Sequence, residues 1–392
     1  MSTGTHDVIV VGAGPAGATA AQVLGARGRD VLVVDKATFP RDKLCGGLVT
    51  WKTTALLDRV FGASLSRMQE DGTLDYSTRE YEVFFDGDTV KRGHAARPYH
   101  FANRRQYDAH LFETATSHPS VEARTGTGVV GVDPEEGAVT LETGETITAS
   151  YVVGADGVHS RVRQAMESTG RLKTTDWSQN LAIATEAYIP REEIDLSTDR
   201  LLVHLGFVDW GYGWVFPNTD RLVIGVGGLN RKNDTSFRTL LDDYYDRLGV
   251  DADASEAKGH PIPFGNYLTD PTAGDALLVG DAAGFVHAMS GEGIFYGQRS
   301  GELCGYAIDE ALSRGSDPAP LYRAYLDDHV LSELRLSKLV RPLLWGGPNA
   351  LRRPIVHTWG AALHQQWEEL VHGTRLYRFL SRSGDRFHTA IP

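Results

Sequence analysis

The stretch Asp7-Val8-Ile9-Val10-Val11-Gly12-Ala13-Gly14-Pro15-Ala16-Gly17-Ala18 decides the fold of this 392-residue chain. DVIVV reads as a short buried parallel strand, and G-x-G-x-x-G follows it directly, opening an alanine-rich helix over about 15–27. Each glycine answers a separate need. Gly12 permits the tight turn, Gly14 lets backbone approach a pyrophosphate, and Gly17 lets helix pack on strand. The helix N-terminus turns free N–H groups toward the anion. A second apolar run, Asp30 to Val34, closes a βαβ unit. Asp35 stands at its end, eighteen residues after Gly17, where a carboxylate accepts ribose hydroxyls. An adenine dinucleotide is therefore the expected ligand, with Pro15, Ala16 and Lys36 beside it. FAD and NAD share this fingerprint, so other segments must choose between them.

Working outward, YEVFF-Asp86-Gly87-DTVKR reads as a β-hairpin. A helix near Arg105 to Ser117 follows, then short strands over 129–149, and YVVGADG returns to a buried strand. From about 172 to 268 the runs ATEAYI, RLLVHL, GWVF and RLVIGVG, separated by turn residues such as Pro217-Asn218-Thr219-Asp220, predict an antiparallel sheet. ALLVGDAAG at 276–284 resumes the style of the N-terminus. The expected class is α/β: a discontinuous Rossmann-like FAD-binding lobe, an inserted antiparallel β-sheet substrate lobe and a helical C-terminal region. The divisions are 1–80, 101–171 and 270–310 for the nucleotide domain, 81–100 and 172–269 for the sheet domain, and 311–392 for the helical region.

Composition removes other classes. A formal net charge of −12 (39 Lys and Arg against 51 Asp and Glu) argues against nucleic acid as a partner, because a duplex binder needs clustered cations. Two cysteines, Cys45 and Cys304, indicate no disulfide framework and point to the cytoplasm. The four-residue apolar run before Gly12 is too short for a signal sequence or a membrane span. No metal-ligand spacing is present.

A second loop selects the cofactor. Gly280-Asp281-Ala282-Ala283-Gly284 ends a late buried strand and runs on into Ser290-Gly291-Glu292-Gly293-Ile294. Asp281 suits a ribityl hydroxyl, and the Gly293 and Ile294 amides suit the N1/O2 edge of an isoalloxazine, where charge develops on reduction. A nicotinamide dehydrogenase has no use for such a loop, so FAD is the expected cofactor.

GAGPAG, Asp35-Lys36, FPRDKLCGG at 39–47, Arg104-x-x-Tyr-Asp, GADG at 154–157, GYGWVFP at 211–217 and GDAAGFVHAMSGEGI at 280–294 together resemble the geranylgeranyl reductase family. That family belongs to the p-hydroxybenzoate hydroxylase-like flavoproteins, and the resemblance spans about residues 5–310. It implies an FAD enzyme that reduces isoprenoid C=C bonds through FADH2. By motif it implies FAD contacts for Ala16, Asp35, Cys45, Gly46, Arg104, Val129, Asp281, Gly293 and Ile294. Gly47, Asp156, Gly280 and Gly291 belong to the same motifs. The chain departs from the family at Asn218, where Lys is common, and at Ala288-Met289, where Pro-Leu is common.

Several residues admit two roles. Arg104 suits the phosphates or adenosine, or is a surface arginine at a helix start. Cys45 is a redox partner near the isoalloxazine, or a small residue in a tight turn. Tyr212, Trp214 and Phe216 share one face of a strand, forming an aromatic wall for an apolar substrate or ordinary core. His287 supplies a proton near the flavin or the substrate, or makes structural hydrogen bonds. LRLSKLVRPLLW, with Arg335, Lys338 and Arg341, meets lipid as a peripheral membrane contact or packs on the main lobes.

The expected function is FADH2-dependent reduction of a C=C bond in an isoprenoid or another apolar polyene. The alternatives are a monooxygenase or halogenase of the same fold, acting on an aromatic or polyketide-like natural product, or a flavin-binding module without turnover. Halogenases carry W-x-W-x-I-P where this chain has Tyr212-Gly213-Trp214-Val215-Phe216-Pro217. A single dinucleotide fingerprint leaves the electron donor as transiently bound NAD(P)H, a ferredoxin or a separate flavin reductase.

Overall fold

The computed structural model describes residues 5–174, 176–362 and 372. Strand Thr5–Val11 runs parallel between Val31–Asp35 and Thr146–Gly154, with Val121–Thr125 and Ala276–Leu278 continuing the parallel sheet on either side. Val8, Ile9, Val10, Val152 and Val153 are fully buried because helices cover the sheet, as continuous apolar runs of parallel strands require. An antiparallel pair, Val129–Asp133 with Ala138–Leu141, attaches to the Thr146–Gly154 strand.

The second sheet also has eight strands, in the order Lys258–Pro263, Leu181–Pro190, Arg221–Leu229, Gly211–Pro217, Leu201–Leu205, Leu74–Phe85, Asp88–Ala102 and Leu48–Val49. The Asp86-Gly87 hairpin forms, with both residues at positive φ. Its strands are longer than the sequence suggests, because β-bulges accommodate register shifts along them. One joint departs from the antiparallel expectation. Leu201–Leu205 pairs parallel with Leu74–Phe85. There two separate stretches of chain, 74–102 and 181–263, meet edge to edge, and no hairpin constrains their direction.

The nucleotide lobe is held together by close backbone packing. Helix Ile294–Arg314 lies on helix Pro15–Gly25 through Gly297, Gly301 and Gly305. A methyl group at residue 301 would sit 2.2 Å from the Ala16 carbonyl oxygen, and one at 305 would sit 2.9 Å from Val23. This brings the N-terminal ends of both helices to the same side of the parallel sheet. Beyond it, helix Ala319–Leu326 packs on the nucleotide lobe, its Tyr322 hydroxyl donating to the Leu278 carbonyl, and helices Ser332–Trp345 and Asn349–Ala362 reach the second sheet, where Leu344, Trp345 and Val356 join the apolar cluster around Trp214 and Phe216. The rest of the expected C-terminal region, 363–371 and 373–392, lies outside the described residues.

Candidate active site

The dinucleotide end is built on the first βαβ unit. Gly12 has φ +99°, and a methyl there would lie 2.5 Å from the Ala155 carbonyl oxygen, so the GADG turn seats directly on the loop. A side chain on Gly17 would collide with the Gly12 carbonyl oxygen at 1.9 Å. Both Asp35 carboxylate oxygens are engaged: Ala13 N–H donates to Oδ2 at 2.7 Å and Ala37 N–H to Oδ1 at 2.8 Å. Asp35 therefore locks the loop to the strand end, and its further lone pairs leave capacity for ribose. Lys36 is exposed beside it. The Thr127 amide donates to the Asp35 carbonyl, so the chain arrives at buried Val129 from the adenosine end.

Arg41 was not singled out from sequence. Its guanidinium lies 3.5 Å from where a Gly14 side chain would begin and 3.1 Å from Asp108 Oδ2, over the Phe39 ring. A cation thus stands at the phosphate turn. Arg104 is buried, not superficial, and forks onto Asp108 through Nε (2.8 Å) and Nη2 (2.9 Å). Asp108 and the Cys45 side chain beside it hold its guanidinium well above the ordinary range despite burial. Asp156 spends Oδ2 on the Arg161 and Val162 amides at a helix start, while buried Oδ1 has no hydrogen-bond partner among the described residues. Burial pushes this carboxyl up.

At the other end, Gly280 (φ +57°) crosses Ala16 so closely that a methyl would lie 2.9 Å from the Ala16 side chain. The partly buried Asp281 carboxylate faces Gly293, 3.3 Å from where a side chain would begin, with no hydrogen-bond partner among the described residues. Burial raises its pKa. Ile294 opens the long helix, and Gly291 turns at φ +70°.

An ionic network the sequence did not disclose fixes this loop. Lys52 Nζ reaches Glu292 Oε2 at 2.7 Å, Glu333 Oε1 at 3.5 Å and the Tyr296 hydroxyl at 3.1 Å, and Thr50 Oγ1 donates to Glu292 Oε1 at 2.9 Å. Lys52 is buried, yet Glu292 and Glu333 hold its pKa above the usual value. A lysine and two glutamates scattered over 280 positions carry no local signal. Their burial is purely tertiary.

The second sheet supplies the opposite wall. Tyr212, Trp214 and Phe216 do share one face: ring centroids are 5.7 Å apart for Tyr212 and Trp214 and 6.1 Å for Trp214 and Phe216. The Cys45-Gly46-Gly47 turn presses against it. A side chain on Gly46 would lie 2.8 Å from the Phe216 ring and 3.4 Å from Trp214 Nε1, which has no hydrogen-bond partner among the described residues. A side chain on Gly47 (φ +73°) would meet the Ala102 carbonyl oxygen at 2.4 Å. Tyr212 donates its hydroxyl to the Ser290 carbonyl and stacks on Trp345 at 6.1 Å, joining wall, loop and C-terminal helix. Met289, at a departure from the family pattern, joins the same apolar cluster, and Asn218 is buried just past the wall.

His287 lies in the loop but is turned inward. Its Nδ1 is 2.9 Å from Ser290 Oγ and accepts from the Ser290 amide at 3.2 Å, with the ring stacked on Tyr296. Burial, with Lys52 nearby, pulls its pKa down to about 3, so it is neutral at ordinary pH.

The donor set fits FAD. It combines a turn in which Gly12 and Gly17 leave no room for a side chain, a cation at Gly14, an Asp281 carboxylate without a hydrogen-bond partner among the described residues and a second helix N-terminus at Gly293-Ile294. NAD alone would leave that second end unused. The fold and site define an FAD-dependent oxidoreductase. Residues 5–198 match the FAD binding domain family. The menaquinone reductase of Mycolicibacterium smegmatis is 30% identical over 379 residues, covering 90% of this chain and 89% of its own. The digeranylgeranylglycerophospholipid reductase 2 of Methanosphaera stadtmanae is 26% identical over 337 residues, covering 83% and 84%. A geranylgeranyl bacteriochlorophyll reductase-like protein from Thermoplasma acidophilum superposes with TM-score 0.78 at 17% identity over 98% of this chain and 99% of its own, a likeness of fold. The chain belongs to the geranylgeranyl reductase family of FAD-dependent oxidoreductases.

Proposed function

We propose that this enzyme reduces a C=C bond of an isoprenoid chain or another apolar polyene. The observation that carries the reading is the aromatic face of Tyr212, Trp214 and Phe216, pressed against Gly46 and continued by the buried side chains of Met289, Leu344 and Trp345. A substrate taken in beside such a cluster would be desolvated and offered little to hydrogen-bond. The relatives' names, reductases of a menaquinone and of a digeranylgeranyl lipid, support the same class. Bound FAD supplies the two electrons. Around it, Gly12, Gly14, Pro15, Ala16 and Gly17 would hold the pyrophosphate with Arg41, Asp35 would take ribose, Asp281 would take the ribityl chain, and the Gly293 and Ile294 amides would serve the ring. Gly46 lets the Cys45 turn lie close against the wall, which would place an apolar substrate there. His287 braces the 287–292 turn.

Electrons arrive from an external donor, NAD(P)H, ferredoxin or a flavin reductase, since the chain has one dinucleotide fingerprint. Two free thiols, Cys45 and Cys304, suit the cytoplasm. No helix among the described residues is long and apolar enough to cross a membrane. Leu339, Leu343 and Leu351 are more than half exposed on the last two helices, which supports peripheral contact with a bilayer that carries the substrate. Arg341, by contrast, is buried and donates to the Phe264 carbonyl, so the basic face is partly structural. The monooxygenase or halogenase alternative fits less well, because the named relatives are reductases.

The test is anaerobic. The FAD-loaded enzyme is photoreduced and mixed with geranylgeraniol, and flavin reoxidation is followed against a control admitted to air. Reoxidation by the alkene with formation of a dihydro product is expected. Reoxidation by air alone would overturn the reading.

A further inference from the structure

Glu186 stands on strand Leu181–Pro190 in the sheet that carries the aromatic wall, and it is only 2% exposed. Its register partner is Gly225, which in turn pairs with Trp214. A methyl on Gly225 would touch both the Glu186 side chain (2.8 Å) and the Trp214 indole (2.3 Å). Since paired residues share a face, carboxyl and indole stand on the same side with nothing but a glycine between them. An acidic residue in a strand ordinarily faces water. Here it faces the wall that holds the substrate.

One hydroxyl connects this carboxyl to the Cys45 turn. Tyr188 Oη lies 2.9 Å from Glu186 Oε1, accepts from the Cys45 amide at 3.2 Å and is 3.4 Å from the Cys45 carbonyl oxygen. The hydroxyl therefore has an acceptor on each side. With Glu186 ionised it donates to the carboxylate, and with Glu186 protonated it receives that proton and donates to the Cys45 carbonyl. Tyr188 is itself 43% exposed, so the residue that touches the buried acid reaches the surface. The charged and titratable groups around Glu186 are Tyr188 on its own strand, Lys258 across the register on the edge strand, Tyr212 on the wall strand, Lys43 and Cys45 on the turn, and Arg104 at the helix start; Gly225 brings none.

We infer that Glu186 supplies the proton that completes the reduction and is recharged from solvent through the Tyr188 hydroxyl. This rests on the alkene-reductase reading. The balance is simple. One alkene carbon takes a hydrogen with two electrons from the reduced cofactor, the π bond breaks, and the other carbon takes a proton from the Glu186 carboxyl, leaving a carboxylate. The Tyr188 hydroxyl then passes a proton from water to that carboxylate. Burial pushes the Glu186 carboxyl up to about 7, against the opposing pull of Tyr188, Lys43, the Cys45 amide and Arg104. A proton is thus held and exchangeable near neutrality, as general acids require. His287, turned inward and neutral, lacks the imidazolium form that a general acid near neutrality would need.

The test compares the FAD-loaded wild type with Glu186→Gln, Glu186→Asp and Tyr188→Phe. Glu186→Gln is expected to keep FAD with an unchanged visible spectrum and to photoreduce normally. Its anaerobic reoxidation by geranylgeraniol should slow about 100-fold or more, with loss of the rate inflection near pH 7. Glu186→Asp should recover part of the rate and keep an inflection. Tyr188→Phe should slow repeated turnover more than a single turnover. Independently of turnover, infrared difference spectra should contain a protonated-carboxyl band that titrates near pH 7 in wild type and is missing in Glu186→Gln. Wild-type rates with a retained inflection in Glu186→Gln, or a carboxyl band that survives the substitution, overturn the assignment alone. Failure of the wild type itself to react with the alkene overturns the reductase reading and this assignment together.

Discussion

Gly301 rests against the main chain of Ala16, and a methyl group on it would lie 2.2 Å from the Ala16 carbonyl oxygen. Because the contact is with backbone, it cannot be relieved by a rotamer change. The long helix reaches both the pyrophosphate loop and the flavin-edge loop through this approach.

Gly301→Ala is accordingly expected to destabilise the protein by about 1–3 kcal/mol, even though alanine is the better helix former by roughly 1 kcal/mol. FAD affinity should fall with it. Urea denaturation and a fluorescence titration of FAD check the two effects, and an unchanged midpoint would refute the packing argument.

Gly46→Ala should act on substrate rather than cofactor. The added methyl would lie 2.8 Å from the Phe216 ring, so the ring must shift and with it the aromatic face proposed to hold the substrate. If overpacking is worth at least about 1.4 kcal/mol, alkene-dependent reoxidation falls roughly tenfold or more. Bound FAD per protein, read by absorbance, should remain that of the wild type.

Lys52→Met leaves two buried glutamates without their cation. The expected loss is about 3–5 kcal/mol, the range for breaking a buried ion pair on one side. Combining it with Glu333→Gln should restore part of that, because one of the two stranded carboxylates is then gone. Denaturation midpoints of the single and double variants decide the matter. The loop carrying Glu292 and Gly293 should loosen as well, seen as faster FAD release.

Acid should weaken the fold through neutral buried histidines. Burial lowers the pKa to about 4 in His204 and His260 and to about 3 in His287. Since the folded state resists protonation and the unfolded chain takes a proton near pH 6.5, their contribution is present above that pH and is lost as pH falls toward 4 and then 3. Each contributes a slope of up to about 1.4 kcal/mol per pH unit in that window. His287→Asn should flatten the fall in urea midpoint between pH 6 and 4, while leaving the value at pH 8 close to its starting point for that variant.

Legibility followed the range of the interaction. Gly12, Gly14 and Gly17 were readable because the turn, the close approach and the positive φ are met within six residues. The Asp86-Gly87 hairpin and the shared face of Tyr212, Trp214 and Phe216 were readable from turn chemistry and period two. Arg41 was hidden in PRDK, where a cation in a polar turn is unremarkable until the turn folds over Gly14. Glu186 was hidden in LAIATEAYIP, where one acidic residue reads as the solvent face of a strand.

By itself, then, the amino-acid sequence determined the βαβ nucleotide unit, the insertion of a β-rich lobe and the choice of FAD, all of which rest on local backbone demands and on two loops of distinctive composition. Only the tertiary structure decided which charges are buried together. Lys52 meets Glu292 and Glu333, and Glu186 reaches Cys45 through Tyr188, across long separations in the chain. The physical reason is that burial and pairing set the character of an ionisable group, and both are properties of the packed chain, not of its neighbours in sequence.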